Sequence, residues 1–178
     1  MAAPGQHLPP LEPLGARFFA RILQPGDLLL YTGTSLWSKL IMRKTWSPVS
    51  HAEIYLGEEG GKMVSYAARD GVGVNVFPTR LNDLTHVLRP KGELDMEALR
   101  GFVAATRGQA YDWWGLLRFF RIGSESRTKM FCFEACARAY KRAGLPLFHE
   151  AFDSDLASGN SFLASPAFEH WWVRRPAK

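Results

Sequence analysis

Two cysteines are the residues of this chain best suited to nucleophilic chemistry. The 178-residue sequence contains only Cys132 and Cys136, four positions apart, so on a helix they share one face. No further cysteine is available to build a disulfide framework. Residues 130–143 have helical periodicity and are followed by Gly144, a good C-terminal stop. Cys132 therefore lies near a helix start, where free N–H groups and the helix dipole stabilise a thiolate. Cys136 lies one turn further in and is expected in the core.

A cysteine nucleophile requires a base within hydrogen-bond reach, and the chain has five histidines. His51 differs from the others because it opens an apolar strand directly after residues 47–50, and a strand end leaves a side chain little freedom. Taken alone, a free cysteine and a strand histidine are more often structural than catalytic. The other histidines are His7 in the N-terminal tail, His86 and His149 in loops or at strand ends, and His170 among exposed aromatic residues.

Hydrophobic periodicity predicts one α+β domain over residues 14–178, after a flexible, proline-rich tail over residues 1–13. The strand pattern includes a hairpin closed by the glycine-rich residues 57–61. Helices are predicted over residues 14–23, 35–44, 95–107, 112–122 and 130–143. Strands are predicted over residues 27–31, 51–56, 63–68, 71–77 and 87–88, and the chain after Gly144 is expected to be rich in loops.

Charge and composition limit the kinds of partner that the protein is expected to bind. The net charge of +5 and the pI of about 9.4 favour anionic partners such as lipid head groups or wall polymers. Lysines and arginines are scattered, and no nucleic-acid motif is present, so no specific nucleic acid is expected. No cluster of histidines or carboxylates accompanies the cysteines, so no metal and no cofactor is expected. The N-terminus lacks a basic start and an apolar run, and no stretch is long enough to span a membrane, which predicts a cytoplasmic protein.

Four segments, taken together, resemble the circularly permuted NlpC/P60 superfamily of papain-like cysteine hydrolases. Residues 26–30 (GDLLL) and 50–57 (SHAEIYLG) are similar to the segment that carries the superfamily's histidine. Residues 108–115 (GQAYDWWG) and 131–134 (FCFE) are similar to the segment that carries its cysteine. Ordinary members have the cysteine segment first. The reverse order found here resembles the permuted branch, which includes YiiX/YaeF-like bacterial proteins and lecithin:retinol acyltransferase-like proteins.

The resemblance implies a permuted papain-like fold, with a small antiparallel sheet or barrel packed against helices and the nucleophile at a helix N-terminus. Cys132 would be the nucleophile and His51 the general base. Tyr111 matches the family tyrosine close to the cysteine, and its hydroxyl would help to hold the substrate or an oxyanion. Phe133 stands where bacterial permuted members commonly have serine, and is expected to alter the wall of the site.

The family's third polar residue lies on the strand that follows the histidine strand, and Ser65 falls nearest to that position. A serine orients an imidazole only weakly and does not balance its positive charge as a carboxylate does. Tyr66, Glu53 and Asp70 are therefore kept as alternatives. Glu53 is two residues from His51, on the same face of the strand.

The implied activity is that of a thiol hydrolase that cleaves an amide bond (peptide, cell-wall type) or an ester bond through an acyl-enzyme. A lipid acyltransferase, phospholipase-like or esterase activity by the same Cys–His pair is the alternative within the enzyme class. A non-catalytic peptide- or lipid-binding module is the alternative outside it. Residues 113–121 alternate large apolar groups with arginines, which suits an apolar groove or lipid interface as well as a core helix. The expected partners are a peptide or acyl-lipid substrate and an anionic or membrane surface.

Overall fold

A computed structural model describes residues 15–68, 72–77, 81–111 and 129–174. The predicted tail over residues 1–13, the predicted helix over residues 112–122 and the arginine-containing residues 113–121 lie outside the described residues. Within them the α+β prediction is confirmed, since a six-stranded antiparallel sheet packs against helices in an arrangement compatible with a papain-like fold. No helix among the described residues is long and apolar enough to cross a membrane.

The strands are β1 (Leu28–Tyr31), β2 (His51–Glu59), β3 (Lys62–Ala68), β4 (Val72–Val76), β5 (Leu84–Pro90), β6 (Ala110–Tyr111), β7 (Lys129–Met130) and β8 (Phe168–Val173). The sheet has the strand order β4-β3-β2-β1-β5-β8, and every pairing in it is antiparallel. A separate two-stranded parallel ladder joins β6 to β7. The helices are α1 (Ala16–Ile22), α2 (Leu36–Thr45), α3 (Met96–Thr106), α4 (Cys132–Arg142) and α5 (Gly159–Leu163).

The last strand, β8, was not predicted, because its burial does not follow the simple alternation of a strand. Phe168 and Trp172 are buried, whereas the residues between them are exposed. The pairing of β8 with β5 shifts register between Val87 and Leu88, and such a bulge breaks the two-residue period. The short helix α5 was likewise missed, since five residues carry too little periodicity.

Two clusters of buried side chains lie on opposite faces of the sheet, because neighbouring residues of β1 contribute to different clusters. Leu28 and Leu30 pack with α3 and α4, whereas Leu29 and Tyr31 pack with α1. The α4 side is further fixed by Tyr140, whose hydroxyl donates a 2.8 Å hydrogen bond to the carbonyl of Gly26. Helix α4 is thus held against the sheet by both apolar contact and a buried hydrogen bond.

The chain leaves β1 and re-enters β2 at two residues that face each other, Tyr31 and His51. The intervening residues 32–50, which contain α2, are called the α2 excursion below. Its base is closed by hydrogen bonds from the Thr32 hydroxyl to the Pro48 carbonyl (2.7 Å) and from the Gly33 N–H to the Ser50 hydroxyl (3.0 Å). The position of His51 is therefore set by the sheet and not by the path of the excursion.

A buried ion pair ties the start of β1 to β5. The Arg89 guanidinium donates to both carboxylate oxygens of Asp27 at 2.9 and 2.8 Å and to the Ile22 carbonyl at 2.7 Å. Asp27 also accepts the backbone N–H of Gln24 at 2.8 Å. Because Asp27 is 1% exposed, removal of its charge leaves the guanidinium without its counter-ion in a poorly solvated place.

We expect Asp27→Asn to lower the free energy of unfolding by about 3 kcal/mol, as found when one partner of a buried pair is removed. Urea denaturation measures this loss. Glu59→Gln is the matched control, because the Glu59 and Arg100 side chains are about half exposed and such a pair contributes less than about 1 kcal/mol. Equal losses in the two variants would contradict a structural role for the Asp27–Arg89 pair.

Candidate active site

The thiol of Cys132 lies at the first residue of α4, as predicted. The first N–H groups of a helix have no partner within the helix, so they can stabilise negative charge on or near this sulfur. Phe131, the residue before the helix, is extended, which turns the chain sharply into the helix. Cys132 is only 2% exposed.

Buried charges stabilise the start of α4. The Arg138 guanidinium contacts the Glu134 carboxylate at 2.7 Å and the Asp155 carboxylate at 2.6 Å. Glu134 also accepts the backbone N–H of Phe131, the return half of a capping box. Burial raises the pKa of Glu134 to about 7, although Arg138 opposes the shift. These contacts hold the turn that carries Cys132 against the loop around Asp155.

The imidazole of His51 is placed by β2 between the thiol and a carboxylate. His51 Nε2 lies 3.2 Å from Glu53 Oε1, a contact available because residues two apart on a strand share a face. The imidazole also interacts electrostatically with the side chain of Cys132. All three side chains are buried.

The charges of this group stabilise the imidazolium. Burial alone would lower the pKa of His51, but the charge and hydrogen bond of Cys132 and the carboxylate of Glu53 raise it from 6.5 to about 9. Burial would raise the pKa of Glu53, but its hydrogen bonds and the charge of His51 hold it below the usual value. At neutral pH the group therefore contains a protonated imidazole beside an ionised carboxylate.

Two hydroxyl groups complete the environment of Glu53. Ser65 donates a 2.6 Å hydrogen bond to Glu53 Oε2, and the Tyr31 hydroxyl donates to the same oxygen at 3.2 Å. The carboxylate thus uses Oε1 for His51 and Oε2 for the two hydroxyls. Ser65, the residue nearest the family's third position, contacts Glu53, which in turn contacts His51. Glu53 is one of the alternatives predicted from the sequence for the third residue. Tyr31 is not predicted, because the contact of its hydroxyl with Glu53 depends on the register between β1 and β2.

The other site residues predicted from the sequence lie away from the Cys132–His51–Glu53 group or outside the described residues. The Tyr66 hydroxyl hydrogen-bonds Thr106 Oγ1 at 3.0 Å, on the contact with α3. Asp70 lies outside the described residues, and of Tyr111 only the backbone is described, in parallel pairing with β7. Two neighbours of Cys132 are core residues. Phe133 packs with its ring against Phe131 and Phe162. Cys136 is fully buried, which raises the pKa of its thiol well above the usual value.

Comparison with known proteins gives a similarity of fold. The crystal structure of YiiX from Escherichia coli O157:H7, described as a metalloprotein of DUF1105, matches with a TM-score of 0.68 and 17% sequence identity. The match covers 86% of this chain and 98% of that chain. No protein-family model and no curated protein matches the sequence.

The description of YiiX as a metalloprotein raises the question of a metal site in this chain. Protein zinc sites use three or four ligands drawn from cysteine, histidine and carboxylate side chains. The described ranges contain no group of three or more such residues that could hold a metal ion. The donor set of this part of the chain does not fit a metal, and no step of the chemistry below is assigned to one.

The raised pKa of His51 leads to a prediction about its titration. In the wild type we expect the imidazole to titrate near pH 9. Glu53→Gln removes a negative charge beside the ring, so the imidazolium is less stabilised and the midpoint moves down. NMR of the histidine ring protons as a function of pH measures both values.

Ser65→Ala is the matched control, because it removes a hydrogen bond to Glu53 and leaves the carboxylate charge in place. Its midpoint is expected to stay closer to the wild-type value than that of Glu53→Gln. A wild-type His51 that titrates at 6.5, as an isolated histidine does, would contradict the proposed interactions of the imidazole.

Proposed function

We propose that this protein is a papain-like thiol hydrolase of the permuted NlpC/P60 kind, acting on an amide or ester through an acyl-enzyme on Cys132. The observation that carries the proposal is the placement of buried Cys132 at the start of α4 together with buried His51, whose Nε2 lies 3.2 Å from the Glu53 carboxylate. A cysteine nucleophile, a base in contact with it and a third group that orients the base form the arrangement required for nucleophilic catalysis. The fold similarity to YiiX supports the same class.

In the proposed mechanism, His51 already holds the proton of Cys132 before substrate binds, and the thiolate attacks the acyl carbon of the substrate. The resulting oxyanion is stabilised by N–H groups at the start of α4, including that of Cys132 itself. The imidazolium of His51 then protonates the leaving amine or alcohol. Neutral His51 next takes a proton from water, and the hydroxide attacks the thioester. The carboxylic acid product leaves, and the thiolate is released beside the imidazolium, which restores the starting state.

Glu53 is assigned the role of the third residue. Its carboxylate contacts His51 Nε2 and restricts the orientation of the ring. It also carries a negative charge that balances the imidazolium, which a serine hydroxyl does not. Ser65 and Tyr31 then act as positioning residues, because each donates a hydrogen bond to Glu53. This assignment answers the main objection to catalysis, namely that serine is a weak third residue.

A direct test is to incubate the protein with short-chain p-nitrophenyl esters, wall-derived peptides and phospholipids, and to measure intact mass. We expect an adduct on the wild type that is absent from Cys132→Ala, and its mass identifies the acyl group. Cys136→Ala is the control, because Cys136 is a core thiol and its variant should retain the adduct. We also expect Cys132 to react with dilute iodoacetamide at pH 6, as an activated thiol does.

If no substrate leaves an adduct or is turned over, and Cys132 reacts as slowly as an ordinary thiol, the protein is better described as a peptide- or lipid-binding module. An adduct that persists in Cys132→Ala would exclude Cys132 as the nucleophile.

The role of Glu53 can be tested on any substrate found in this way. We expect Glu53→Gln to lower kcat at least about 100-fold, because a neutral amide neither balances the imidazolium nor enforces the required tautomer. Ser65→Ala is expected to lower kcat by less than about tenfold, since it removes only a neutral hydrogen bond. Steady-state kinetics with thermal melting as a check of folding distinguish the two, and similar losses in both variants would contradict the assignment.

A further inference from the structure

The α2 excursion presents large apolar side chains to solvent. Leu36 is 84% exposed, Trp37 61%, Leu40 40% and Trp46 89%. Single exposed apolar residues are common on proteins, but four within eleven residues form a patch of the kind that marks an interaction site. None of these side chains belongs to the Cys132–His51–Glu53 group, so the proposed catalysis does not account for them.

The same segment is positively charged. Lys39, Arg43 and Lys44 are exposed on α2, and the sequence has no aspartate or glutamate over residues 28–52. Arg43, Lys44 and Trp46 also line a shallow depression beside the end of the helix. Cations, tryptophans and leucines on one short helix are the composition of segments that lie at the surface of an anionic membrane.

Trp46 has a backbone conformation that is unfavourable for a tryptophan. It ends α2 in the left-handed region, with φ of +50°, where glycine or asparagine is usual and a bulky side chain is strained. Its side chain is almost fully exposed, so burial within the protein does not offset this strain. A residue that is unfavourable in both respects points to a role outside the folding of the chain.

We propose that the α2 excursion docks on the surface of an anionic lipid bilayer. Trp37 and Trp46 would insert their rings at the head-group level, where tryptophan is enriched in membrane proteins. Lys39 and Arg43 would meet anionic head groups, each adding about fivefold to the affinity. Leu36 and Leu40 would add apolar contact at the acyl boundary. The absence of acidic residues from the segment makes its charge complementary to such a surface throughout.

The attachment of the excursion determines what docking would do to the rest of the molecule. It is flanked by the facing residues Tyr31 and His51, and hydrogen bonds from Thr32 and Gly33 close its base. Docking would therefore hold the end of the sheet that carries His51 close to the bilayer. This proposal concerns binding, so it stands or fails independently of the proposed hydrolase activity.

The test is co-sedimentation with sucrose-loaded vesicles of phosphatidylcholine alone and of 70:30 phosphatidylcholine:phosphatidylglycerol. We expect the wild type to bind the anionic vesicles and to be released by 0.5 M NaCl, because salt screens the attraction. Lys39→Gln/Arg43→Gln should weaken binding about 30-fold. Trp46→Gly should weaken it at least about tenfold while leaving Tm unchanged or raised, because glycine relieves the left-handed strain.

Control variants remove the same chemistry from elsewhere on the surface. Lys62→Gln/Lys91→Gln removes two exposed cations, and Phe148→Ala removes a 41%-exposed aromatic side chain. Both should bind anionic vesicles within about twofold of the wild type. A wild type that does not sediment with anionic vesicles overturns the proposal. Unchanged binding by Trp46→Gly and the Lys39/Arg43 variant overturns it as well.

Discussion

The carboxylate of Glu53 is buried and ionised, a state that is costly unless hydrogen bonds and an opposite charge surround it. Three neighbouring side chains supply these: His51 from the same strand, Tyr31 from β1 and Ser65 from β3. The pairing of three adjacent strands is therefore coupled to one charge. A shift of register by one residue would turn the side chains of a strand to the other face and leave this carboxylate without its donors.

The thiol is supplied by a separate part of the chain, and its position depends on how α4 begins. The contacts of Glu134 with Phe131 and Arg138 fix the first turn, while Tyr140 fixes the far end of the helix to the loop before β1. The Cys132–His51 contact thus joins two independently stabilised elements. Such an arrangement keeps the thiol and the imidazole in place without requiring either element to be strained.

The parts of this arrangement that could be predicted from the sequence are those that depend on local pattern. Helix α4 and strand β2 follow from hydrophobic periodicity, and their first residues, Cys132 and His51, follow from those element starts. The contact between Glu53 and His51 could be predicted as well, because residues two apart on a strand share a face. Local pattern could not predict the contact of Tyr31 with Glu53, because this contact depends on the register between strands. It also missed β8, whose alternation is broken by a bulge.

The closed base of the α2 excursion has a consequence for how such a protein can diversify. Because Tyr31 and His51 face each other across a strand pair, the nineteen residues between them, 32–50, form an insert whose two ends already meet. Doubling the length of a flexible connection costs only about 0.6 kcal/mol in closure entropy. The exposed face of this segment can therefore be lengthened or given a new surface chemistry, while buried residues such as Val49 keep it attached to the core and the imidazole keeps its position in the sheet.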